Sequence, residues 1–135
     1  MGTRAARSFE EVLRYESPVQ TLFRFVRRNT EIAGREIFQH TTVALGFGAA
    51  NRDPEVFAEA GQFNIERDWS NHVAFGGGIH YCLGAPLARV EAAVALNAML
   101  DRYETIAPGS QPGTRQIATN LVFGFTQLPL RIARS

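Results

Sequence analysis

The spacing of apolar residues along the chain predicts two helices. The longer one spans residues 86–103, where apolar side chains fall near one helical face and many alanines allow close packing. The shorter helix spans residues 8–16, and it ends ahead of Pro18 because proline disfavours helical geometry in the residue before it. The apolar face of the longer helix comprises Leu87, Val90, Val94 and Met99.

Short runs rich in β-branched and aromatic residues predict strands in much of the remaining chain. Four lie between the helices, at 21–28, 30–33, 36–39 and 42–45, with Gly34 at a turn. Three follow the long helix, at 116–119, 121–125 and 128–132, with Gly124 near a turn or bulge. Residues 53–74 are predicted to be irregular, and prolines and glycines between 108 and 113 indicate a loop. The mixture of elements predicts an α+β fold for this chain.

Composition and charge narrow the class of protein. With 45% hydrophobic and 20% charged residues, the 135-residue chain resembles an ordinary folded domain. Fourteen basic and thirteen acidic residues give a net charge of +1, which argues against a nucleic-acid partner and against a polybasic membrane patch. No apolar run in the sequence is long enough to span a membrane, and the sequence predicts no signal peptide. We therefore expect a cytoplasmic protein.

Cys82 is the only cysteine, and it lies in the glycine-rich sequence FGGGIHYCLG at residues 75–84. A lone sulfur forms no intramolecular disulfide, and three scattered histidines provide no four-ligand zinc set. A single cysteine can hold haem iron, because the porphyrin supplies the four equatorial ligands and the protein adds an axial one. The alternative is a buried, inert thiol, which explains the cysteine but not the residues around it.

The neighbours of Cys82 suit a haem ligand. Gly76 and Gly84, like the glycines at 77 and 78, let the backbone take positive φ and approach a flat molecule closely. Phe75 offers a ring to pack on the loop or the macrocycle, and His80 could donate a hydrogen bond to a haem propionate. The helix that follows would direct its positive end at the sulfur, which favours a thiolate.

The pattern FxxGxHxCxG, followed by Leu-Ala-Arg at 87–89, resembles the haem-binding signature of bacterial cytochromes P-450, the haem-thiolate monooxygenases. The resemblance implies a mainly α fold with small β-sheets, of which this chain is the α+β, proximal haem-binding part. It implies haem b as the cofactor, with Cys82 as both the catalytic residue and the metal ligand. The implied cofactor-binding residues are Arg24, Phe75, Gly76, His80, Cys82 and Gly84.

Glu11 and Arg14 match the ExxR helix motif of the same family. Their i, i+3 spacing places both side chains on one helical face, where they can pair. The resemblance implies that the pair is buried and supports the cysteine loop. Two alternatives remain from the residues alone: a pair on a solvated helix face, or a capping box formed by Ser8 and Glu11. Arg24 likewise has the alternative of an ordinary exposed strand arginine.

The resemblance also has departures. Family members carry a Pro-x-Gly turn after the strand hairpin, whereas this chain has Phe38-Gln39-His40, so we expect a non-glycine residue in a strained turn. Many members place an arginine before the equivalent of Phe63, where it completes a network with the ExxR pair. This chain has Gln62 there, and we expect a less charged support for the loop. Residues 48–54 resemble the family's short helix and turn.

The resemblance runs from residue 8 to residue 135, which is the C-terminal portion of a family domain, and residues 1–7 form an unmatched leader. In a complete member, a long helix on the opposite face of the haem delivers protons to bound oxygen, and this chain has no counterpart. We therefore expect a truncated monooxygenase that is inactive alone. The alternative is a non-catalytic haem-binding remnant.

By the same resemblance, the complete enzyme would insert oxygen from dioxygen into an organic substrate, using two electrons passed on by a ferredoxin or flavoprotein. Segments equivalent to 20–23 and 120–123 line the substrate pocket in relatives, and their apolar character hints at a small apolar substrate. Arg67 and Arg89 are candidates for the proximal surface where an electron donor docks. The alternative is that both are ordinary surface arginines.

Overall fold

Two longer helices, one short helix and four two-stranded antiparallel sheets make up the described part of the computed structural model, residues 3–116 and 122–134. In the first half, helix α1 spans Arg4–Glu16, and strands β1 to β4 span Thr21–Phe25, Thr30–Ile32, Arg35–Ile37 and Thr42–Gly46, followed by helix α2 at Phe47–Ala50. In the second half, a 3-10 turn at Gly78–His80 precedes helix α3 at Ala85–Arg102, and strands β5 to β8 span Tyr103–Pro108, Thr114–Arg115, Phe125–Gln127 and Leu130–Arg134.

Helix α1 begins four residues earlier than the sequence predicts. Thr3 is its N-cap, and the Thr3 hydroxyl accepts a hydrogen bond from the backbone N–H of Ala6 at 3.3 Å. Ser8 therefore lies inside the helix, and the capping-box alternative for Ser8 and Glu11 is wrong. The predicted end at Glu16 is confirmed: Ser17 takes a left-handed conformation (φ 43°) and donates its N–H to the carbonyl of Leu13.

The first four strands form two hairpin-like pairs. Strand β1 pairs with β4 from Thr21 opposite Gly46 to Phe25 opposite Thr42, and β2 pairs with β3. The predicted turn at Gly34 is confirmed, with φ of +75° at that residue. The predicted strained turn is also confirmed, because His40 takes φ of +65° without a glycine's freedom. The predicted short helix near residue 48 corresponds to α2.

The C-terminal strands differ from the prediction. Strand β5 was not predicted, because its residues adjoin the long helix and the proline–glycine loop. It pairs with β8, which corresponds to the strand predicted at 128–132. Strand β7 begins at Phe125, where the strand predicted at 121–125 ends, and it pairs with β6. Residues 117–121, which include most of the strand predicted at 116–119, lie outside the described residues.

Helix α3 packs against α1, and its half-buried side combines alanines with larger apolar residues. The half-buried positions include Ala88, Ala92, Leu96 and Met99, whereas Val90 and Val94 are 60% and 65% exposed. The predicted apolar face is therefore wrong as a packing face: Leu87, Val90 and Val94 are exposed, and only Met99 lies on the half-buried side. Among the described residues, no helix is long and apolar enough to cross a membrane.

The interior contains charged as well as apolar side chains. The buried apolar residues are Ala5, Leu13, Val26, Phe57, Ala60 and Ala85. Beside them, four polar side chains of the described chain are fully buried, and three of these come from or adjoin α1. They are Glu11, Arg14, Ser17 and Asn51. A polar interior of this kind persists only where its hydrogen bonds are satisfied, which directs attention to the contacts of α1.

Candidate functional site

A cavity of about 650 Å³ opens between α1, the β1–β4 pair and the cysteine loop. Its volume lies within the range of small-molecule and cofactor sites. Most of the lining is apolar, with side chains such as Phe9, Leu13, Leu22, Leu45 and Phe47. Five residues selected from the sequence share this wall although they are up to 58 positions apart: Arg24, Phe75, Gly76, His80 and Cys82.

The cysteine loop folds back on itself so that Cys82 lies at the cavity wall. The backbone N–H of Cys82 donates to the carbonyl of Phe75 at 2.9 Å, and the N–H of Gly76 donates to Val73 at 2.8 Å. Gly76 and Gly78 take φ of +74° and +57°, conformations that favour glycine. Cys82 itself is a free, exposed thiol. The loop therefore presents its sulfur on a hydrogen-bonded turn rather than burying it, and the alternative of a buried thiol is wrong.

Two of the loop glycines do not have the predicted positive φ. Gly77 is extended, with φ of −162°, and Gly84 has φ of −79°. A Cβ on Gly84 would lie 3.8 Å from the sulfur of Cys82, which is an ordinary contact. The expectation of special backbone geometry is therefore wrong at these two positions. Gly84 does not line the cavity but lies beside the sulfur, at the N-cap of α3.

The start of α3 adjoins Cys82, as the sequence predicts. The backbone N–H of Ala85 donates to the carbonyl of Cys82 at 3.2 Å, and Ala85 is fully buried. Pro86 occupies the first turn, where its missing N–H removes no helical hydrogen bond. The N-terminus of α3 has no side-chain cap, so its positive end is directed toward the region of the sulfur without a competing side chain.

Arg24 and His80 provide the basic groups of the cavity. Arg24 lies on the same face of β1 as Leu22, because strand side chains alternate, and it is half-buried rather than fully exposed. Its guanidinium donates to the carbonyl of Phe23 at 3.0 Å, and no carboxylate in the described ranges pairs with it. His80 is exposed on the 3-10 turn. Both remain able to donate to an anionic group of a ligand.

Glu11 and Arg14 form a buried ion pair behind the cavity, so the solvated-face alternative is wrong. Both side chains are 0% exposed, and the guanidinium binds the carboxylate in a bidentate manner at 2.7 and 2.8 Å. The remaining guanidinium N–H groups donate to the carbonyls of Asn51, Ala60 and Gln62. The pair therefore joins α1 to α2 and to the irregular segment that leads to the cysteine loop.

Asn51 extends this network to the loop itself. Its side-chain oxygen accepts from the backbone N–H of Val73 at 2.7 Å, and its amide donates to the hydroxyl of Ser17 at 2.8 Å. Because Val73 also accepts from Gly76, a chain of hydrogen bonds runs from Arg14 through Asn51 to the cysteine loop. The sequence showed Asn51 only within the motif at 48–54.

Arg67 gives the Glu11 site a second positive charge. Its side chain is 9% exposed, its Nε lies 3.5 Å from the carboxylate of Glu11, and it donates to the carbonyls of Ala58, Glu59 and Gln62. The expected loss of charge at Gln62 is therefore wrong, because Arg67 supplies the charge from another position. Its burial also argues against the donor-docking role considered for Arg67.

The pKa of Glu11 reflects these contacts. Burial raises the pKa of a carboxyl group, but hydrogen bonds from Arg14 and the backbone of Asn64, with the charges of Arg14 and Arg67, outweigh burial. The net result is a pKa below the ordinary value. Glu11 is therefore an ionised structural carboxylate at neutral pH.

Glu10 is a buried residue that the sequence analysis missed. Its carboxylate contacts His72 at 2.9 Å and binds Arg89 in a bidentate manner. Burial raises the pKa of Glu10, but the bonds to Arg89 and His72 outweigh it and the net pKa is lowered. The bond to Glu10 in turn raises the pKa of Arg89. No feature of the sequence indicates that the adjacent Glu10 and Glu11 pair with different residues.

The described residues around Cys82 could bind a metal ion only if a bound molecule supplied further metal ligands. No group of three or more His, Cys, Asp or Glu side chains within 3–116 and 122–134 is arranged to bind a metal ion. A metal at Cys82 would therefore take its other ligands from a bound molecule. A flat apolar metal chelate with peripheral carboxylates fits the observed wall, which combines apolar lining, a free thiol and the two basic groups Arg24 and His80.

Comparison with known proteins gives consistent matches. The family model described as Cytochrome P450 matches residues 6–133. The chain is 40% identical over 124 residues to 6-deoxyerythronolide B hydroxylase of Saccharopolyspora erythraea, covering 91% of the chain and 31% of that protein. It is 41% identical over 127 residues to the cytochrome P450 monooxygenase PikC of Streptomyces venezuelae, covering 93% and 30%.

A solved structure matches the fold as well. The crystal structure of CYP109E1 from Bacillus megaterium in complex with testosterone superimposes with a TM-score of 0.88 at 40% identity, covering 95% of this chain and 36% of that one. The chain therefore spans about a third of the length of the curated and solved relatives it matches.

Proposed function

The chain belongs to the cytochrome P450 family, and we propose that it provides the haem-binding, cysteine-bearing part of a haem-thiolate monooxygenase. Its fold is the cytochrome P450 fold, of which these residues form an α+β portion. The observation that carries the proposal is the cavity wall on which Cys82 lies with Arg24 and His80.

Each predicted site residue has a defined place in this proposal. Cys82 would ligate the iron of haem b as a thiolate, and the adjoining N-terminus of α3 would stabilise its negative charge. Arg24 and His80 would donate to the haem propionates. Phe75 and Gly76 would form the loop surface against the macrocycle. Gly84 would lie beside the sulfur at the start of α3, and Glu11 and Arg14 would support the loop from behind.

When bound, the haem supplies the redox centre for reducing dioxygen and inserting one oxygen atom into a substrate. The protein's part is to hold that centre and to raise its electron density through the sulfur of Cys82. We propose a small apolar organic substrate, because the lining beside Leu22 and Phe47 is apolar. The electron donor would be a ferredoxin or a flavoprotein, and the protein would act in the cytoplasm.

A non-catalytic haem-binding role is the second candidate. It is favoured by the exposure of the loop around Cys82, where Ile79 and Leu83 are almost fully exposed. Oxygen chemistry needs a pocket from which water is excluded, and the thiol of Cys82 is exposed among the described residues. Under this alternative the chain would bind haem through Cys82 and would form no oxygenated product.

Haem reconstitution of the 135-residue chain tests the proposal. Reduced haem under carbon monoxide should give the strongly red-shifted Soret band of thiolate ligation, and Cys82→Ser should abolish it. His80→Gln is the matched control: it should weaken haem binding but keep the band, because His80 would contact a propionate and not the iron. Haem binding without this band, or the same band in Cys82→Ser, would overturn the proposal.

A further inference from the structure

We propose that Glu10 is a positioning residue that fixes the cysteine loop from both of its flanks. This inference rests on the proposed function, since it concerns how the sulfur of Cys82 is held at the cavity. Glu10 is 4% exposed and lies on α1, next to Glu11. Its two partners, His72 and Arg89, lie 62 and 79 positions away, one before the loop and one after it.

The flank before the loop is held through His72. Its Nδ1 lies 3.2 Å from the backbone N–H of Ala74, which can only donate, so Nδ1 must accept. The proton of the neutral ring is then on Nε2, which donates to Oε2 of Glu10 at 2.9 Å. Ala74 precedes Phe75, whose carbonyl accepts from Cys82. The carboxylate of Glu10 thereby fixes the orientation of the His72 ring, and that ring accepts the hydrogen bond from Ala74 at the start of the loop.

The flank after the loop is held through Arg89 on α3. Its Nε and Nη2 donate to the two oxygens of Glu10 at 2.5 and 3.1 Å, and Nη1 donates to the hydroxyl of Tyr81 at 3.1 Å. The guanidinium also lies over the ring of Phe75, 4.8 Å from its centroid. Tyr81 directly precedes Cys82 and Phe75 begins the loop, so Arg89 contacts the loop at both ends. Glu10 fixes the orientation of the Arg89 guanidinium.

A carboxylate is required at this position. Oε2 of Glu10 accepts from both His72 and Arg89, and Oε1 accepts from Arg89. A glutamine of the same size has one accepting oxygen, and its NH₂ group would face a donor from His72 or Arg89. Glu11 does not share this function, because its described partners are Arg14, Asn64 and Arg67, none of which belongs to the cysteine loop.

Hydrogen exchange of the 135-residue chain without haem tests the proposal directly. In Glu10→Gln we expect the hydrogen-bonded amides of Ala74, Gly76 and Cys82 to lose protection about tenfold, while amides of the β1–β4 pair change less than about twofold. Glu16→Gln is the matched control on the same helix, because Glu16 pairs with Arg115 at 3.0 Å on the surface. It should leave the loop unchanged. A uniform loss of protection in Glu10→Gln, or none, would overturn the proposal.

Variants of His72 and Arg89 test the two flanks of the loop separately, and they test the proposal even if Glu10→Gln fails to fold. His72→Phe should release the amide of Ala74 more than that of Cys82, and Arg89→Lys should release Cys82 more than Ala74. Equal effects on both amides in both variants would contradict the proposal. With haem and carbon monoxide, Glu10→Gln should convert part of the thiolate-type Soret band to a less red-shifted form, whereas Cys82→Ser loses it entirely. A partly converted band would mean that the sulfur of Cys82 is misplaced, whereas absence of the band in the parent chain would mean that the proposed function itself is wrong.

Discussion

Arg14 uses all five of its guanidinium N–H groups within the protein, two toward Glu11 and three toward backbone carbonyls. The i, i+3 spacing of Glu11 and Arg14 could be read from the sequence, but the backbone partners of Arg14 could not, since they lie 37 to 48 positions away. The Glu11–Arg14 pair is buried because the segments that carry these distant carbonyls pack around it. A buried pair with satisfied hydrogen bonds makes removal of one member costly, because the other is left charged and unpaired.

Removing the charge of Glu11 should therefore destabilise the chain strongly. For Glu11→Gln we expect a loss of about 3–5 kcal/mol in the free energy of unfolding. For Glu16→Gln, which breaks a surface pair on the same helix, we expect about 1 kcal/mol or less. Urea denaturation monitored by circular dichroism measures both. Similar losses in the two variants would show that burial of the Glu11–Arg14 pair has no energetic consequence.

The loop glycines offer a second test at the residue scale. Gly76 has φ of +74°, and an added Cβ would lie 3.4 Å from the carbonyl oxygen of His80. Gly76→Ala should cost roughly 1–2 kcal/mol of stability. Gly77 is extended and has open space for a Cβ, so Gly77→Ala should be neutral or stabilising by up to about 1 kcal/mol. Thermal unfolding compares the two, and an equal cost would refute the backbone argument.

Helix α1 is the element that organises the site. Glu10 reaches the cysteine loop, Glu11 and Arg14 reach the irregular segment, and Leu13 lines the cavity. The existence and the C-terminal end of α1 could be predicted, because Pro18 is a local signal. Its start could not, because Ser8 and Thr3 are both acceptable N-caps by type. The direction of adjacent side chains toward different partners depends on tertiary packing and has no local signature.

The two buried acidic side chains of α1 predict how stability depends on pH. Both Glu10 and Glu11 have lowered pKa values in the folded chain, so the unfolded chain takes up protons first as pH falls. The stabilisation from both groups is complete above about pH 4.5 and is lost progressively below it, through the folded pKa values.

Urea titrations between pH 7 and pH 3 measure this dependence. The free energy of unfolding should fall on acidification below about pH 4.5, and the slope should be smaller in Glu10→Gln than in the parent chain. Glu16→Gln should retain the parent slope. Stability that is constant or increases on acidification would contradict the assignment of lowered pKa values to these carboxyl groups.

At the scale of the whole molecule, the described chain exposes a broad apolar surface. Large side chains on α3 and on the terminal strands are exposed, among them Leu87, Val90, Val94, Leu100 and Ile132. Leu87, Val90 and Val94 do share one face of α3, but Met99 lies on the half-buried side with Leu96. The sequence alone could not show which side of the helix would pack on α1.

This surface predicts self-association of the 135-residue chain. Contiguous exposed apolar patches promote association, so we expect concentration-dependent oligomers in sedimentation velocity. The double variant Val90→Gln/Val94→Gln should shift the distribution toward monomer with little change in unfolding free energy, because both side chains are largely exposed. Ala92→Gln, on the half-buried side of α3, is the matched control and should destabilise the chain instead. A purely monomeric parent chain would refute the prediction.

The family and the cysteine loop could be predicted from the sequence because their signals are local: fixed residue types at fixed spacing around Cys82. The cavity could not, because it forms where Leu13, Leu22, Leu45 and Cys82 meet from distant segments. The same holds for Arg67, which supplies near Glu11 the charge that Gln62 lacks. The motifs therefore predict the family and the cysteine loop, whereas the contacts that support the loop depend on the fold.

X-ray absorption at the iron edge of the haem-loaded chain reports the atoms bound to iron and therefore tests whether Cys82 is the iron ligand. We expect one sulfur neighbour in the first coordination shell of the parent chain and none in Cys82→Ser. A first shell of nitrogen and oxygen alone in the parent chain would show that Cys82 is not the iron ligand.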